Sequence, residues 1–481
     1  VNAPLRRVAI SVLVLFTLLI VNVNIIQVVR AGDLRDNPRN TRVLAEEFDR
    51  ERGSIVVDGN EVAMSEPTDG RLRYLRTYPQ GELYAPVTGY YSPLVYGSTG
   101  LEDAENDVLS GSDPRLTLFR LGDLFTGRDP AGGNVQLTLE PAVQQAAMEG
   151  LAGVTGAVVA LDPTTGAILA LASTPSYDPG QLSSHDPAAI REYRAQLGEA
   201  ELRNHAISDK YPPGSIFKVI VSAAALASGD YGPDTTVPAP DALTLPGTST
   251  QLRNFDNSSC NGGADQSLID ALTISCNTAF AQLGIDLGQE RVQEMAEAFG
   301  MDGEGFEMPL EVTGSSVGEI ENDAQLGQSS IGQFNVAMTP MQAAMVAAAV
   351  ANDGTLMRPY LVDSVQAPDL SVIDQTEPEE MSEPISSEVA DQLTEMMTSV
   401  VAEGSGRRAG IDGVTVAGKT GTAQVAEGVE DHNWFIGFAP ADDPTIAVAV
   451  FVANGGGTGG DTSAPIARAV IEAHLAARGE G

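Results

Sequence analysis

Apolar positions change regime along the chain. From Val8 to Val29 they are nearly continuous, broken by Ser11, Thr17, Asn22, Asn24 and Gln27 and bracketed by Arg6-Arg7 and Arg30. As a helix this stretch is about 33 Å long, enough to cross a bilayer. Val8 to Val21 alone would also serve as the apolar core of a signal peptide, but no small-x-small cleavage site follows, so an uncleaved anchor is expected. The arginine pair ahead of it places the N-terminus inside and the remainder outside the cytoplasmic membrane.

Beyond the anchor the pattern becomes irregular. Residues 31–132 are rich in Gly, Pro, Tyr and Arg, with short β-like runs such as Gly53 to Val57 and no long amphipathic stretch. They read as a mostly β module that ends near Asp129-Pro130-Ala131-Gly132-Gly133. Residues 133–481 read as a second unit. There Gly156 to Asp162 and Ala167 to Ser173 flank a Pro-Thr-Thr-Gly turn as a hairpin. Helical patterns follow at Ile216 to Ser228, Ser267 to Leu287 and Pro340 to Asn352. Strand-like runs return at Val414 to Val425, Trp434 to Phe438 and Thr445 to Ala453, before a last helix from Ala464 to Ala477. Strands at both ends with helices between them predict an α+β fold, one antiparallel sheet covered by helices. The acidic, proline-containing stretch Gln366 to Pro384 reads as a solvated loop.

Charge narrows the partners. With 65 acidic against 27 basic residues the net charge is -38, which argues against nucleic acid or anionic lipid as the main partner. Two cysteines and four scattered histidines make no metal-ligand cluster, so no metal is expected. The run Gly455 to Gly460 has no lysine after it and reads as a loop, not a phosphate cradle, and no cofactor is expected. Outside the cytoplasm Cys260 and Cys276 can form a disulfide, with two free thiols as the alternative.

Lysine is nearly absent. Of the 27 basic residues only Lys210, Lys218 and Lys419 are lysines. Lys218 closes Ser215-Ile216-Phe217-Lys218 and Lys419 opens Lys419-Thr420-Gly421-Thr422. Arginine cannot release its proton near neutral pH, whereas a buried lysine can. The Pro212-Pro213-Gly214 approach places Ser215 in the first turn of a helix. At i, i+3 the serine hydroxyl and the Lys218 amine share one face of it, as a nucleophile and its base require. Lys210, just upstream, has no assigned role.

Ser215-x-x-Lys218, Ser275-Cys276-Asn277 and Lys419-Thr420-Gly421 in this order resemble the penicillin-binding and serine β-lactamase superfamily, whose three motifs meet in one cleft. Arg203 to Ile207, Tyr211 to Gly214, Gly332-Gln333, Thr339 to Gln342 and His432 to Gly437 resemble segments that flank this cleft in class B penicillin-binding proteins. So do Arg52 to Ile55 and Gly100 to Glu102 in the N-terminal module. The resemblance runs over nearly the whole chain. It implies a β-lactamase-like transpeptidase domain on a dimerisation-type pedestal, and a D,D-transpeptidase that cross-links peptidoglycan stem peptides and is acylated by β-lactam antibiotics. By the same resemblance Ser215 is the nucleophile and Lys218 its base. Ser275 relays a proton, Asn277 orients Lys218 and the substrate amide, and Lys419 reinforces the field. Thr420 and Thr422 offer hydroxyls to the terminal carboxylate, Gly421 leaves room along the strand, and the Ser215 and Thr422 backbone N–H groups form the oxyanion hole. Residues 31–132 are too few for a glycosyltransferase domain, so the resemblance implies a RodA/FtsW-type membrane glycosyltransferase as partner. A D,D-carboxypeptidase, a β-lactam sensor or β-lactamase, and a scaffold of a division or elongation complex share some or all of these features. Cys276, where many β-lactamases carry an acidic residue, weakens the β-lactamase reading.

Overall fold

The computed structural model describes residues 2–26, 50–70, 72–117, 119, 131–426 and 428–479. The end of the expected anchor, Gln27 to Arg30, residues 31–49, and Asp129-Pro130 of the expected boundary lie outside these. The elements that position the site are, in chain order, α1 (Asn2–Asn24), β1 (Ile55–Val57), β2 (Asn60–Pro67), β3 (Tyr74–Thr77), β4 (Asn134–Leu137), α2 (Pro141–Gly150), β5 (Gly156–Leu161) and β6 (Ile168–Thr174). They continue with α3 (Lys218–Ala227), α4 (Leu268–Thr273), α5 (Asn277–Leu287), α6 (Pro340–Ala351), β7 (Val362–Gln366), β8 (Val372–Gln375), α7 (Ser387–Ala402), β9 (Ala417–Ala423), β10 (His432–Ala439), β11 (Ile446–Val452) and α8 (Ser463–Arg478).

Helix α1 starts before Val8 and takes in Arg6 and Arg7, and Ala3–Asn24 is long and apolar enough to cross a membrane. The five-stranded sheet runs β9-β10-β11-β5-β6, antiparallel throughout. Its strands read as continuous apolar runs because helices cover both faces. Ala157, Val159, Phe451 and Ala449 point to the α6 side, while Val158, Ala160, Val448 and Val450 point to the cluster that includes Val143, Ala147, Val470 and Ile471 of α2 and α8. Period-two alternation thus sorts one apolar strand into two cores.

A second sheet has the order β8-β7-β4-β1-β2-β3. Ile55 of β1 runs parallel to Val135 of β4, and β7 adds antiparallel with Val365 opposite Val135. Strands from both sides of residue 132 therefore share one hydrogen-bonded sheet. This corrects the solvated-loop reading of Gln366 to Pro384. Val372–Gln375 is a strand paired with β7, and Glu380–Ser382 pairs with Leu356–Met357. Its acidic and proline composition describes an exposed outer face, whereas the pairing comes from segments over two hundred residues apart in the case of β4 and β7. The apolar pattern over Ser267 to Leu287 likewise resolves into two helices, α4 and α5, with a break at residues 274–276.

Candidate active site

Pro213 already lies in the right-handed helical region, φ -75 and ψ -20, and Trp434 Nε1 fixes the Pro-Pro step by donating to Pro212 O at 2.9 Å. Gly214 then turns with φ +54, and a Cβ there would lie 2.6 Å from Thr422 O. Only glycine lets the backbone beside Ser215 lie this close to the backbone of β9. Gly214–Phe217 forms a 3₁₀ turn that runs into α3, which carries Lys218 on its first residue. Ser215 is half-buried at this turn.

The second motif sits at the break between α4 and α5. Ser275 N–H donates to Leu272 O at 3.1 Å and Cys276 N–H to Ala271 O at 2.8 Å, the paired bonds of a Schellman helix end. Ser275 takes the left-handed position of that motif, φ 62, where glycine or asparagine is the usual occupant. In this conformation the Ser275 carbonyl meets the Lys218 amine, and the Ser275 hydroxyl lies within reach of both Lys218 and Lys419. Asn254 Oδ1 accepts from the N–H groups of Asn277 at 2.8 Å and Thr278 at 3.1 Å, and so caps α5 from a distant loop. Cys276 and Cys260 are joined as a disulfide with Cα atoms 6.1 Å apart.

Both site lysines are 0 % exposed. Lys218 Nζ donates to Ser275 O at 2.8 Å and Asn277 Oδ1 at 2.8 Å, and lies 3.2 Å from Ser275 Oγ. Lys419 Nζ lies 2.9 Å from the same Ser275 Oγ and donates to Thr420 O at 2.9 Å. Burial, and then the charge of Lys419, push the Lys218 amine well below the ordinary lysine range. Burial pushes Lys419 down to about 7. A neutral Lys218 amine has two N–H groups, which the carbonyl oxygens of Ser275 and Asn277 take up, leaving its lone pair to accept a proton. Among the described residues no hydrogen bond joins Ser215 Oγ to Lys218 Nζ. The Lys218 amine is turned toward the second motif.

On β9, Thr420 is buried with Oγ1 2.6 Å from Ser405 Oγ, and Thr422 Oγ1 accepts from Gly459 N–H at 3.3 Å. Gly421 packs closely against the backbone of the serine turn. A Cβ there would lie 2.8 Å from Pro213 O and 2.9 Å from Trp434 Cβ, so its bareness lets the Ser215 turn close on the strand. Gly455 to Gly460 lies beside β9 through that Gly459 bond. His432 is buried, accepts from Asn454 N–H at 3.1 Å and meets the Tyr211 ring edge-on at 5.4 Å. Burial lowers its pKa, so it is a neutral structural residue. Lys210 is exposed. Asn254 and Ser405 belong to no motif, and nothing in their local sequence marks them; only the folded chain brings them to the site.

The arrangement supplies a serine at a helix start, a buried amine of depressed pKa, a hydroxyl bridging two amines and a strand bearing hydroxyls. These are the parts of a serine acyl transfer. The family described as penicillin binding protein transpeptidase domain matches residues 156–472, and the penicillin binding protein A dimerisation domain matches residues 52–135. The chain is 49% identical over 490 residues to the peptidoglycan D,D-transpeptidase PbpA of Mycolicibacterium smegmatis, covering 98% of this chain and 99% of that protein. It is 48% identical over 491 residues to PbpA of Mycobacterium tuberculosis, with the same coverage. Among solved structures it is similar to the penicillin G acyl-enzyme complex of penicillin-binding protein A from M. tuberculosis, with TM-score 0.85, 48% identity, and 89% of this chain and 100% of that chain covered. The imipenem acyl-enzyme complex of the same protein gives TM-score 0.86 over 90% of this chain and 100% of that one.

Proposed function

The chain belongs to the penicillin-binding protein transpeptidase family, and from that premise we propose that Ser215, Lys218, Ser275, Asn277 and Lys419 carry out its serine acyl transfer. The protein is a peptidoglycan D,D-transpeptidase that β-lactams acylate. The observation that carries the residue assignment is the single hydroxyl, Ser275 Oγ, standing between two buried amines beside the Ser215 turn.

Lys218 takes the Ser215 proton as Ser215 Oγ bonds to the penultimate D-Ala carbonyl carbon. The N–H groups of Ser215 and Thr422, whose backbones lie together at Gly214, hold the developing oxyanion. As the C–N bond breaks, the proton passes from Lys218 through Ser275 to the leaving D-Ala amine. Asn277 holds Lys218 in place through its 2.8 Å bond. The terminal carboxylate lies against the hydroxyl-bearing face of β9, with Thr420, Thr422 and the Lys419 charge, while Gly421 keeps the strand tight on the nucleophile. An amine of a neighbouring stem peptide then attacks the ester, giving its proton back through Lys218 and freeing Ser215.

Helix α1 anchors the chain by a single pass, with the catalytic unit on the extracytoplasmic side, a reading supported by the apolar span Ala3–Asn24 and the arginines near its start. Residues 31–132 form the pedestal and 133–481 the transpeptidase unit, which cooperate through the shared sheet. A RodA/FtsW-type glycosyltransferase supplies the glycan strands, a reading supported by the small size of the pedestal. Intact-mass analysis with penicillin tests the residue assignment. The expected result is one adduct per chain that is lost in Ser215→Ala and formed at least about a hundredfold more slowly in Lys218→Arg. An adduct that persists in Ser215→Ala, or parent-like acylation of Lys218→Arg, would sink it.

A further inference from the structure

The short strand Gln251–Arg253 pairs antiparallel with Ala242–Thr244 and ends beside the second motif. Arg253 O accepts from Asn277 Nδ2 at 3.4 Å, and the Oδ1 of the same amide takes up Lys218 Nζ at 2.8 Å. One side-chain amide therefore separates the catalytic amine from the backbone of Arg253. The next residue anchors that backbone. Asn254 is buried, and its Oδ1 accepts from the N–H groups of Asn277 and Thr278 at the start of α5. Arg253 thus has its main chain fixed against the catalytic asparagine while its side chain is exposed.

The guanidinium is little used by the protein itself. Its Nη2 donates to Gln251 Oε1 at 3.1 Å, two residues back on the same strand face. Among the described residues it has no carboxylate partner, although the chain holds 65 acidic residues against 27 basic ones. Five N–H groups in a planar fork suit a carboxylate. A net charge of -38 repels an anionic substrate, so a cation held beside the catalytic amide offsets that field close to the reacting centre.

The two ends of the site differ. Lys419, assigned above to the terminal carboxylate of the donor, lies on the Ser275 side at 2.9 Å from its Oγ, whereas Arg253 lies on the Asn277 side. The donor chain upstream of the penultimate D-Ala leaves the scissile carbonyl in the direction opposite to the terminal carboxylate. The 3.4 Å contact to Arg253 O is long for an N–H donor, so Asn277 Nδ2 is free to turn to the donor's acyl amide.

We propose that Arg253 is a specificity-determining residue for the donor, taking a carboxylate that the stem peptide bears upstream of the penultimate D-Ala. This deepens the acyl-transfer reading given above and rests on it. The bond is charge-assisted, so it favours an anionic donor and leaves a neutral one nearly unaffected.

The test uses the full chain in detergent and two donors, an N-glutaryl-D-alanyl thioester of thioglycolate and its analogue in which the glutaryl carboxylate is a carboxamide. In each, the Ser215 Oγ–C bond forms as the C–S bond breaks, and the serine proton leaves with the thiol. Thiol release gives kcat/KM, and intact mass places the acyl group on Ser215. Arg253→Gln is expected to slow the glutaryl donor about fivefold and leave the carboxamide donor within about twofold of the parent. Arg253→Lys keeps a preference for the glutaryl donor. Raising salt from about 0.05 M to about 0.5 M narrows the gap between the donors in the parent and leaves Arg253→Gln unchanged. Equal loss with both donors would make Arg253 structural and overturn the proposal. So would an unchanged preference in Arg253→Gln, or a parent preference that salt does not alter. Either result with Ser215 still acylated strikes this inference alone, whereas thiol release without an acyl group on Ser215 would bring down the proposed function.

Discussion

Lys218 and Lys419 converge on one atom, Ser275 Oγ, at 3.2 Å and 2.9 Å. Among the described residues neither amine has a carboxylate partner, and both are fully buried. The site therefore holds two cationic groups in an environment that disfavours their charge, which makes the proton balance between them the controlling variable.

Acylation requires neutral Lys218, so its rate should rise as pH climbs through that depressed pKa. Lys419 is needed charged, and its value of about 7 means that binding of a carboxylate donor should weaken above it. The expected profile of acylation rate against pH is a bell. Lys419→Arg keeps the charge at all accessible pH and should lose the alkaline limb. Lys419→Met removes the repulsion on Lys218 and should move the acid limb to higher pH. An alkaline limb near 7 that survives in Lys419→Arg would assign it to another group.

The same burial has a cost in stability. Folded Lys419 titrates at about 7 against 10.5 for the ordinary side chain, so between those values the unfolded chain holds more protons. Stability should rise with pH across that window. At pH 7, Lys419→Met should melt higher than the parent by several degrees while losing activity toward carboxylate donors. A lower melting temperature would show that the amine's hydrogen bonds outweigh its desolvation.

Ser275 is both strained and functional. Glycine suits its left-handed backbone better, by about 1 kcal/mol. Ser275→Gly should leave the urea midpoint equal or higher, whereas Ser275→Ala should not raise it. Both should slow acylation by at least about a hundredfold, because the bridge between the lysines is gone. Acylation by Ser275→Gly near the parent rate would remove the serine from the relay.

Much of this site was legible because its chemistry needs rare residues in a lysine-poor chain, and much of the main sheet because both faces are buried. What escaped notice depends on distant partners. The apolar run over Ser267 to Leu287 continues through Ile274, which is exposed, so periodicity does not announce the break that holds Ser275. Strand β8 is mostly exposed and gains its place by pairing with β7, itself paired to β4. Ser405 meets the lysine strand through one hydroxyl contact and Asn254 accepts two N–H groups at the start of α5, and a serine or asparagine in a polar loop carries no signal of that.

The disulfide fixes the turn that bears Ser275. Closing a segment with a sequence separation of 16 between its cysteines is worth about 3 kcal/mol in the chain-entropy model. Cys260→Ser, or the parent in dithiothreitol, should melt lower and be acylated several-fold more slowly, with reductant having no further effect on the variant. Unchanged melting of the parent in reductant would mean that the Asn254 cap and the Schellman bonds hold the turn unaided.

The pedestal depends on one buried anion. Glu102 is 0% exposed and accepts from Arg52 Nε at 2.6 Å, Arg76 Nε at 2.5 Å and the Tyr78 hydroxyl at 3.0 Å. The arginines also bind Asn106 Oδ1 at 2.8 Å and Gly53 O at 2.7 Å, and Arg52 lies 4.3 Å over the Tyr91 ring, so this one cluster joins the start of β1 to the helical turns after β3. Burial alone would push the Glu102 carboxyl up, but Arg76 and Arg52 outweigh it and hold the carboxyl below the ordinary value. Its contribution is then present above about pH 4.5 and is lost as pH falls through the depressed folded-state value. Glu102→Gln leaves two buried guanidinium groups without an anion and should cost about 3–5 kcal/mol at pH 7. In urea unfolding of the full chain, the gap between parent and variant should narrow as pH is lowered below that value. A gap of the same size in acid and at neutrality would show that packing at this position, and not its charge, supports the pedestal.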